Sequence, residues 1–230
     1  MWTHTEHLFG PQSAEAYAAV KAADDQVGQV WEELKRDYPA RATLVVVSDH
    51  GFSSIKRTIM PNVVLRKAGL TRRQNGDVHV VSQGGAEFVY IGDETRRDEI
   101  MDRVRKEFSG LEGIASIAGP SELKADGVAN PKDDPHAPDM ILFAKEGYSF
   151  GDTAAGSLPF NEKPERKGSH GHDANLPDLH ATFLMWGEGV KPGVNLGEIT
   201  NIDVAPTSAK LLGIEFPNVD GKPLEAGLAN

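Results

Sequence analysis

A short apolar run at residues 43–47, Thr-Leu-Val-Val-Val, constrains the fold of this chain more than any other segment. Continuous runs of Val and Leu are typical of strands that are buried on both faces of a sheet. Asp49 and His50 follow the run, and in open α/β sheets ligands bind beyond the carboxyl ends of the strands. A carboxylate and an imidazole suit a divalent metal such as zinc, although a turn or a helix cap would place the same residue types here. The spacing alone leaves both interpretations open.

The composition restricts the classes of partner that this chain can bind. Its 230 residues include 24 basic and 34 acidic side chains, a formal net charge of −10, with no basic stripe, so a nucleic-acid polymer is not an expected partner. There are no cysteines, which excludes disulfides and thiolate zinc sites. No apolar run approaches the roughly 18 residues of a membrane span, and the first residues lack the pattern of a signal peptide. The cellular compartment stays open.

The periodicity of apolar residues predicts a layered α/β architecture. Ser13 is expected to cap a helix that ends near Tyr38, and Asp203 to cap a last helix that Gly213 closes. Residues 147–178 show no regular period and predict a long surface loop, which in a compact domain is usually functional. The other predicted elements are a helix from Pro61 to Gly69, strands at 77–81 and 86–91, a helix at 95–108, and strands at 114–118, 139–144 and 182–186.

The eight histidines are unevenly distributed along the chain. Two of them are isolated, and solvent exposure explains an isolated histidine best. The others form three groups, and metal sites in α/β folds are built from separate loops that converge at one edge of a sheet. The isolated residues are His79 and His136, and the groups are His4 with His7, His50 alone, and His170 with His172 and His180. By spacing alone, the last group fits a polar loop as well as a metal site.

Three segments combine histidines with glycine, aspartate or proline in short motifs: Ser-Asp-His-Gly-Phe at 48–52, His-Leu-Phe-Gly-Pro at 7–11 and Ser-His-Gly-His-Asp-Ala-Asn at 169–175. They resemble motifs of the type I phosphodiesterase/nucleotide pyrophosphatase family, which lies within the alkaline phosphatase superfamily. Residues 48–52, Ser-Asp-His-Gly-Phe, resemble a metal-binding motif of that family. Residues 7–11 resemble its His-x-x-Gly-Pro segment, and residues 169–175 resemble its late His-Gly-x-Asp-Asn segment. The segments 179–183 and 203–207 are similar to its C-terminal part. All occur in the order in which the family has them.

The resemblance implies a set of metal ligands and a cofactor. It implies two divalent metal ions, most simply zinc, with Asp49 and His50 as ligands of one ion. His7 and His170 correspond to two ligands of the other ion. His180 corresponds to a second-shell residue rather than a ligand, and no catalytic nucleophile is identified in the chain.

The resemblance also implies a fold and a division of the chain. The expected fold is an alkaline-phosphatase-like three-layer α/β sandwich with a mostly parallel sheet, incomplete at the N-terminus and carrying a small α+β insertion. Residues 1–76 would be part of the metal-binding catalytic core, and residues 77–138 the insertion. Residues 139–230 would return to the core and contribute a metal-binding loop.

Two departures from the family pattern bear on activity. The family has an aspartate ligand four residues before the histidine that corresponds to His7, and this chain has Thr3 there. The family also has an upstream strand that carries a further aspartate and a Thr or Ser nucleophile. Four ligands are identified where two zinc sites would need about six. We therefore expect a truncated chain that is weakly active by itself, or one that pairs with a complementary N-terminal polypeptide.

The function implied by the resemblance is metal-dependent hydrolysis of phosphodiesters, nucleotide pyrophosphates or related phosphorus esters. The expected partner is a small-molecule phosphate ester, and the loops within 84–121 and 148–167 are expected to select its non-phosphate part. Two alternatives stay open. One is a phosphonate hydrolase or another phosphoesterase of the same superfamily, and the other is a non-catalytic remnant that binds metal or ligand. Members of the family are often exported, which this sequence neither supports nor opposes.

Overall fold

The computed structural model describes residues 2–71 and 77–229. Helices and strands alternate along much of this part of the chain, as the sequence predicts for an α/β protein. The helices are α1 (Trp2–Phe9), α2 (Ala14–Asp37), α3 (Pro61–Lys67), α4 (Arg97–Phe108), α5 (Pro120–Ala125) and α6 (Val204–Leu211). The strands are β1 (Thr43–Val47), β2 (Ser53–Ile59), β3 (Val78–Ser82), β4 (Ala86–Ile91), β5 (Ile114–Ala118), β6 (Met140–Ala144), β7 (Gly147–Phe150), β8 (Phe160–Asn161), β9 (Gly168–Ser169) and β10 (Phe183–Gly187).

The chain folds into two compact units. The first unit runs to Ala19 and resumes from Phe52 to His180. The second runs from Val20 to Gly51 and resumes at Ala181. Each unit is therefore made of two separate stretches of sequence. The predicted division into a core and an insertion, with limits at 76/77 and 138/139, stays a prediction.

The core of the first unit lies on an antiparallel sheet with strand order β3-β4-β6-β5. The turn at residues 83–85 joins β3 to β4 as a hairpin, as predicted. Helix α4 buries Ile100, Val104 and Phe108 completely against this sheet, because residues four apart lie on one face of a helix. Leu142 of β6 and Val89 of β4 are equally buried in the same cluster.

A second sheet of the first unit is centred on β2, which the sequence analysis did not predict. Strand β2 pairs in parallel with β7 and antiparallel with β8 and β9. Strands β7, β8 and β9 all lie within residues 147–178, so the prediction of a long loop without regular structure is wrong for these short stretches and holds for most of the residues between them. Strand β2 gives a weak pattern because it is mostly polar and its register shifts between Ile55 and Arg57.

The second unit is built on the antiparallel pair β1 and β10, with Thr43 opposite Gly187. The prediction that β1 is buried on both faces is wrong, because none of its residues is fully buried and the side chain of Val47 is 51% exposed. In the described part of the chain β1 pairs only with β10, which leaves apolar side chains partly open. Helix α2 contributes Trp31, whose ring lies 5.4 Å from that of Trp186.

The strand directions do not confirm a mostly parallel sheet. Among the strand pairs of the described residues, only β2 with β7 is parallel. Short connectors such as residues 83–85 can join only antiparallel neighbours, since a parallel pair needs a crossover of a dozen or more residues. The coarser prediction of an α/β fold is confirmed, and the directions of its strands are mixed.

The two predicted helix caps differ in outcome. The hydroxyl of Ser13 accepts a hydrogen bond from the amide of Ala16 at 3.0 Å, so the predicted cap of α2 is confirmed. Asp203 makes no side-chain cap to α6. Its carboxylate instead accepts hydrogen bonds from the amide of Lys222 and the hydroxyl of Thr200, both at 2.9 Å. Among the helices that the structure describes, none is both long and apolar enough to cross a bilayer.

Candidate functional site

Two of the predicted ligands, His7 and His170, lie side by side in the first unit. Their ring centroids are 5.2 Å apart, and the ring of Phe52 lies 4.9 Å from His7 and 5.4 Å from His170. A backbone hydrogen bond from the amide of Lys167 to the carbonyl of His7 at 2.8 Å holds α1 against the segment before β9. Gly168 permits this approach, because a Cβ there would overlap the carbonyl oxygen of residue 6. Packing thus joins two residues that are 163 positions apart in sequence.

The hydrogen bond of the His7 ring fixes its tautomer. The Nδ1 atom lies 3.0 Å from the carbonyl oxygen of Gly168. A carbonyl oxygen can only accept, so Nδ1 carries the proton and the lone pair of the neutral ring is on Nε2. Metal-binding histidines commonly donate the other ring nitrogen to a carbonyl in this way. The geometry of His7 therefore fits a zinc ligand.

Asp49 and His50 lie in the second unit, directly after β1. Reciprocal bonds between Ser48 and Thr182 hold this segment beside β10, with the Ser48 amide donating at 3.0 Å and the Ser48 hydroxyl accepting at 2.8 Å. The Nδ1 of His50 donates to the carbonyl of Gly51 at 2.8 Å, which again places the lone pair of the neutral ring on Nε2. That Nε2 lies 3.5 Å from Oδ2 of Asp49, whose side chain is 86% exposed.

The predicted ligands thus occur as two pairs, one in each unit. Within residues 2–71 and 77–229, no group of three or more His, Asp or Glu side chains is placed to hold a metal ion. Nitrogen and oxygen donors of this kind suit zinc, but a zinc site ordinarily has at least three protein ligands. The full ligand set of four residues stays a prediction.

Thr3 and His180, near the start and the end of the first unit, are both exposed. Thr3 lies on α1 one helical turn before His7, and its side chain faces solvent. His180 is exposed at the end of a short 3₁₀ helix, where its amide donates to the carbonyl of Pro177 at 3.1 Å. Its predicted role, as a residue near the metal ligands that does not itself bind the metal, stays a prediction.

His172 has a structural role that the sequence analysis did not assign. Only 5% of the residue is exposed, and its Nε2 donates to the carbonyl of Tyr148 at 2.7 Å. The ring therefore carries its lone pair on Nδ1, which is buried without a hydrogen-bond partner. Burial lowers the pKa of this imidazole, so the neutral form is favoured. The sequence signal, His-Gly-His, suggests a metal ligand as readily as this buried hydrogen bond.

Glu87 of β4 is a second buried group that the sequence analysis missed. The residue is fully buried, and neither of its carboxylate oxygens has a hydrogen-bond partner. Burial, with a smaller contribution from Asp152, raises the pKa of this carboxyl to about 9. The alternation of β4 is a usable signal, since Glu87 lies on the same face as the buried Val89 and Ile91.

A polar cleft of about 390 Å³ opens beside β2 in the first unit. Its lining includes Lys56 and Arg57, but the guanidinium of Arg57 is already engaged. It forms ion pairs with Glu162 at 2.5 Å and Glu112 at 2.7 Å and lies 4.4 Å from the ring of Phe160. Hydrogen bonds to these carboxylates raise the pKa of the Arg57 guanidinium further. Among the cationic groups of the lining, Lys56 is the one available for an anion.

Comparison with solved structures defines the class of fold. Human ectonucleotide pyrophosphatase/phosphodiesterase 5 superposes with a TM-score of 0.77 at 18% identity, over 99% of this chain and 56% of that one. An inactive form of the murine protein in complex with AMP gives the same TM-score, identity and coverage. At this identity the likeness establishes the fold alone. The chain therefore has the alkaline-phosphatase-like α/β fold of these proteins.

Sequence comparison then assigns the family. The model for the family described as type I phosphodiesterase / nucleotide pyrophosphatase matches residues 4–173, so this chain belongs to that family. A curated relative, human ectonucleotide pyrophosphatase/phosphodiesterase family member 7, is 23% identical over 218 residues, which are 94% of this chain and 44% of that protein. The chain thus spans about half the length of the relatives it matches.

Proposed function

We propose that this chain supplies metal ligands to a hydrolase of phosphodiesters, nucleotide pyrophosphates or related phosphorus esters. The observation that carries the proposal is the pairing of His7 and His170, with the Nδ1 of His7 held by a backbone carbonyl. Membership of the family adds the reaction class. A small phosphate ester is the proposed substrate, and the net charge of −10 means that bound cations would have to offset repulsion of an anion.

In this proposal, each pair of ligands holds one divalent ion, most simply zinc. His7 and His170 would hold one ion through imidazole nitrogens, and Asp49 and His50 would hold the other. Such ions supply Lewis-acid stabilisation of charge on the oxygens of a phosphoryl group. The contribution of the chain is to orient these side chains. The carbonyls of Gly168 and Gly51 fix two of the imidazoles, which places their Nε2 lone pairs for coordination.

A second candidate function is metal or ligand binding without turnover. It is favoured by the number of ligands, since each pair is one short of the three protein ligands typical of a catalytic zinc site. Activity of this polypeptide by itself is therefore proposed to be weak.

Calorimetric titration with zinc tests the metal proposal. We expect two binding events, of which His170→Ala removes one and Asp49→Asn weakens the other, since a ligand is lost in each variant. His136→Ala is the matched control, because His136 is an exposed histidine whose side chain has no role in the proposal. Identical titrations for the original chain and His170→Ala would reject the assignment of His170.

Hydrolysis of bis(p-nitrophenyl) phosphate separates the two candidate functions. Turnover that requires zinc and disappears in His170→Ala supports the hydrolase. Zinc binding without turnover favours the binding function. Turnover that survives EDTA and the His170 substitution would show that the activity does not depend on this metal pair.

A further inference from the structure

The segment that carries His170 is in contact with a glycine-rich turn and contains a buried histidine. The turn is residues 83–85, Gln-Gly-Gly, between β3 and β4, and the buried histidine is His172. We propose that His172 and this turn position His170 for metal binding, so that His172 is a positioning residue rather than a ligand. The metal part of this inference rests on the proposed function.

The first contact runs from the glycine turn to the backbone of His170. The amide of Gly85 donates to the carbonyl of His170 at 2.7 Å. Gly84 has a φ of +80°, and a Cβ at this position would overlap the Ser169 hydroxyl and approach the His170 carbonyl oxygen to 2.5 Å. The turn can approach the segment this closely only because both residues lack side chains.

The second contact is made by the side chain of His172. Its ring lies so close to Gly85 that a Cβ on this glycine would overlap the imidazole. The same ring donates to the carbonyl of Tyr148 on β7 at 2.7 Å. His172 therefore joins the turn to the β2–β7 sheet from a position two residues after His170.

Further backbone bonds tie these parts into one arrangement. The amide of Phe150 donates to the carbonyl of Gly84 at 2.7 Å, and the hydroxyl of Ser82 donates to the carbonyl of Phe150 at 3.1 Å. On the other side of His170, Ser169 pairs with Ser53 of β2. The backbone of His170 is thus held at its own carbonyl, at the preceding residue Ser169 and at His172 two residues later, in a position where its ring lies 5.2 Å from that of His7.

The hydrogen bonding of His172 argues against the alternative that it binds the metal itself. Its Nε2 carries the proton donated to Tyr148, and its Nδ1 faces the Gly85 backbone in the buried interior. Coordination through either atom would require the ring to leave this site. Loss of a group that hydrogen-bonds a metal ligand directly commonly lowers metal affinity by about 10- to 100-fold, and since His172 acts through its neighbours we expect an effect at the lower end of this range.

Zinc affinity measured by competition with a chromophoric chelator tests this inference in three variants. His172→Leu fills the site but removes the donor, and Gly85→Ala keeps the donor but displaces the ring. We expect each to weaken the His170-dependent zinc affinity by about tenfold or more. His172→Gln keeps an N–H donor near the position of Nε2 and should restore affinity to within about threefold of the original chain. Gly28→Ala is the control for Gly85→Ala, because a Cβ at Gly28 meets no atom within 4 Å.

The outcomes separate failure of this inference from failure of the proposed function. If His170→Ala weakens zinc binding but His172→Leu and Gly85→Ala do not, the positioning role is wrong and the metal site stands. If His170→Ala has no effect, the proposed function fails and the inference fails with it. Thermal unfolding is recorded for every variant, since a purely structural role would lower the melting temperature and leave the zinc affinity of the folded fraction unchanged. If His172→Leu does not fold, Gly85→Ala and the recovery in His172→Gln decide the question.

Discussion

At the scale of single residues, the two buried groups show how position within a fold changes the chemistry of a side chain. His172 and Glu87 are both ionisable in water, and both are buried with polar atoms that have no hydrogen-bond partner. Burial disfavours the charged form of each group, so it lowers the pKa of the imidazole and raises that of the carboxyl. The residue types alone predict neither pKa shift, because both shifts result from burial in the folded chain.

Glu87 leads to a prediction about stability and pH. Its pKa rises from 4.5 to about 9 in the folded chain, so between these values the folded state keeps a proton that the unfolded state has lost. Stability contributed by this group is therefore fully present below about pH 4.5 and is lost as the pH rises toward 9, by about 1.4 kcal/mol per pH unit between these values. We expect Glu87→Gln to flatten this decline, and urea unfolding between pH 5 and 9 measures it.

The control for Glu87 is Glu107→Gln, an exposed glutamate on α4. This substitution should leave the pH dependence unchanged, because it removes no buried carboxyl. If the free energy of unfolding has the same pH dependence in Glu87→Gln, Glu107→Gln and the original chain, Glu87 is ionised in the folded state. The prediction of a neutral, buried carboxyl is then wrong.

At the scale of elements, strong local patterns were predicted correctly and weak ones were not. Helix α4 repeats its apolar residues every four positions, and α3 combines an initial Pro61 with a closing Gly69 at a φ of +69°. Both signals are local and describe the element completely. Strands β2 and β7 have no comparable local pattern. Strand β2 is stabilised by pairing with segments about 90 to 115 residues later in the chain, and such pairing leaves no signal in the local sequence.

The cap of α2 gives a prediction at this scale. Ser13 accepts from the amide of Ala16 and donates to the carbonyl of Gly10 at 2.9 Å. Ser13→Ala removes both bonds and should lower the free energy of unfolding by about 1 kcal/mol, as measured by urea denaturation. Ser157→Ala, in an exposed loop, is the control and should change stability by less than about 0.5 kcal/mol. Equal effects of the two substitutions would contradict the capping role.

At the scale of the whole molecule, the apolar core is concentrated in the first unit. Both clusters of buried apolar residues among the described residues belong to that unit, including the fully buried Leu65, Phe108 and Leu142. In the second unit, Leu184 of β10 is 55% exposed and Val47 of β1 is 51% exposed. Strands with few buried contacts open with a lower free energy than strands in a packed core.

Hydrogen exchange measures this difference. We expect amides of β4 and β6 to exchange the slowest, and the paired amides of β1 and β10 to exchange faster by about 100-fold or more, since every 1.4 kcal/mol of opening free energy corresponds to a factor of ten. The comparison uses amides that are hydrogen-bonded in both sheets. Comparable protection of the two sheets would mean that β1 and β10 are covered by more than the contacts seen here.

The sequence by itself determined the family, the α/β class and the elements with strong local patterns, because motif residues and apolar periodicity are properties of short stretches. It also identified His7, Asp49, His50 and His170 as candidate ligands. Only the tertiary structure decided that the rings of His7 and His170 lie beside that of Phe52, that β1 is half exposed, and that His172 donates to Tyr148. These features depend on contacts between segments that are distant in sequence. Such contacts determine which side chains are buried and which hydrogen bonds form, and the neighbouring residues in sequence do not.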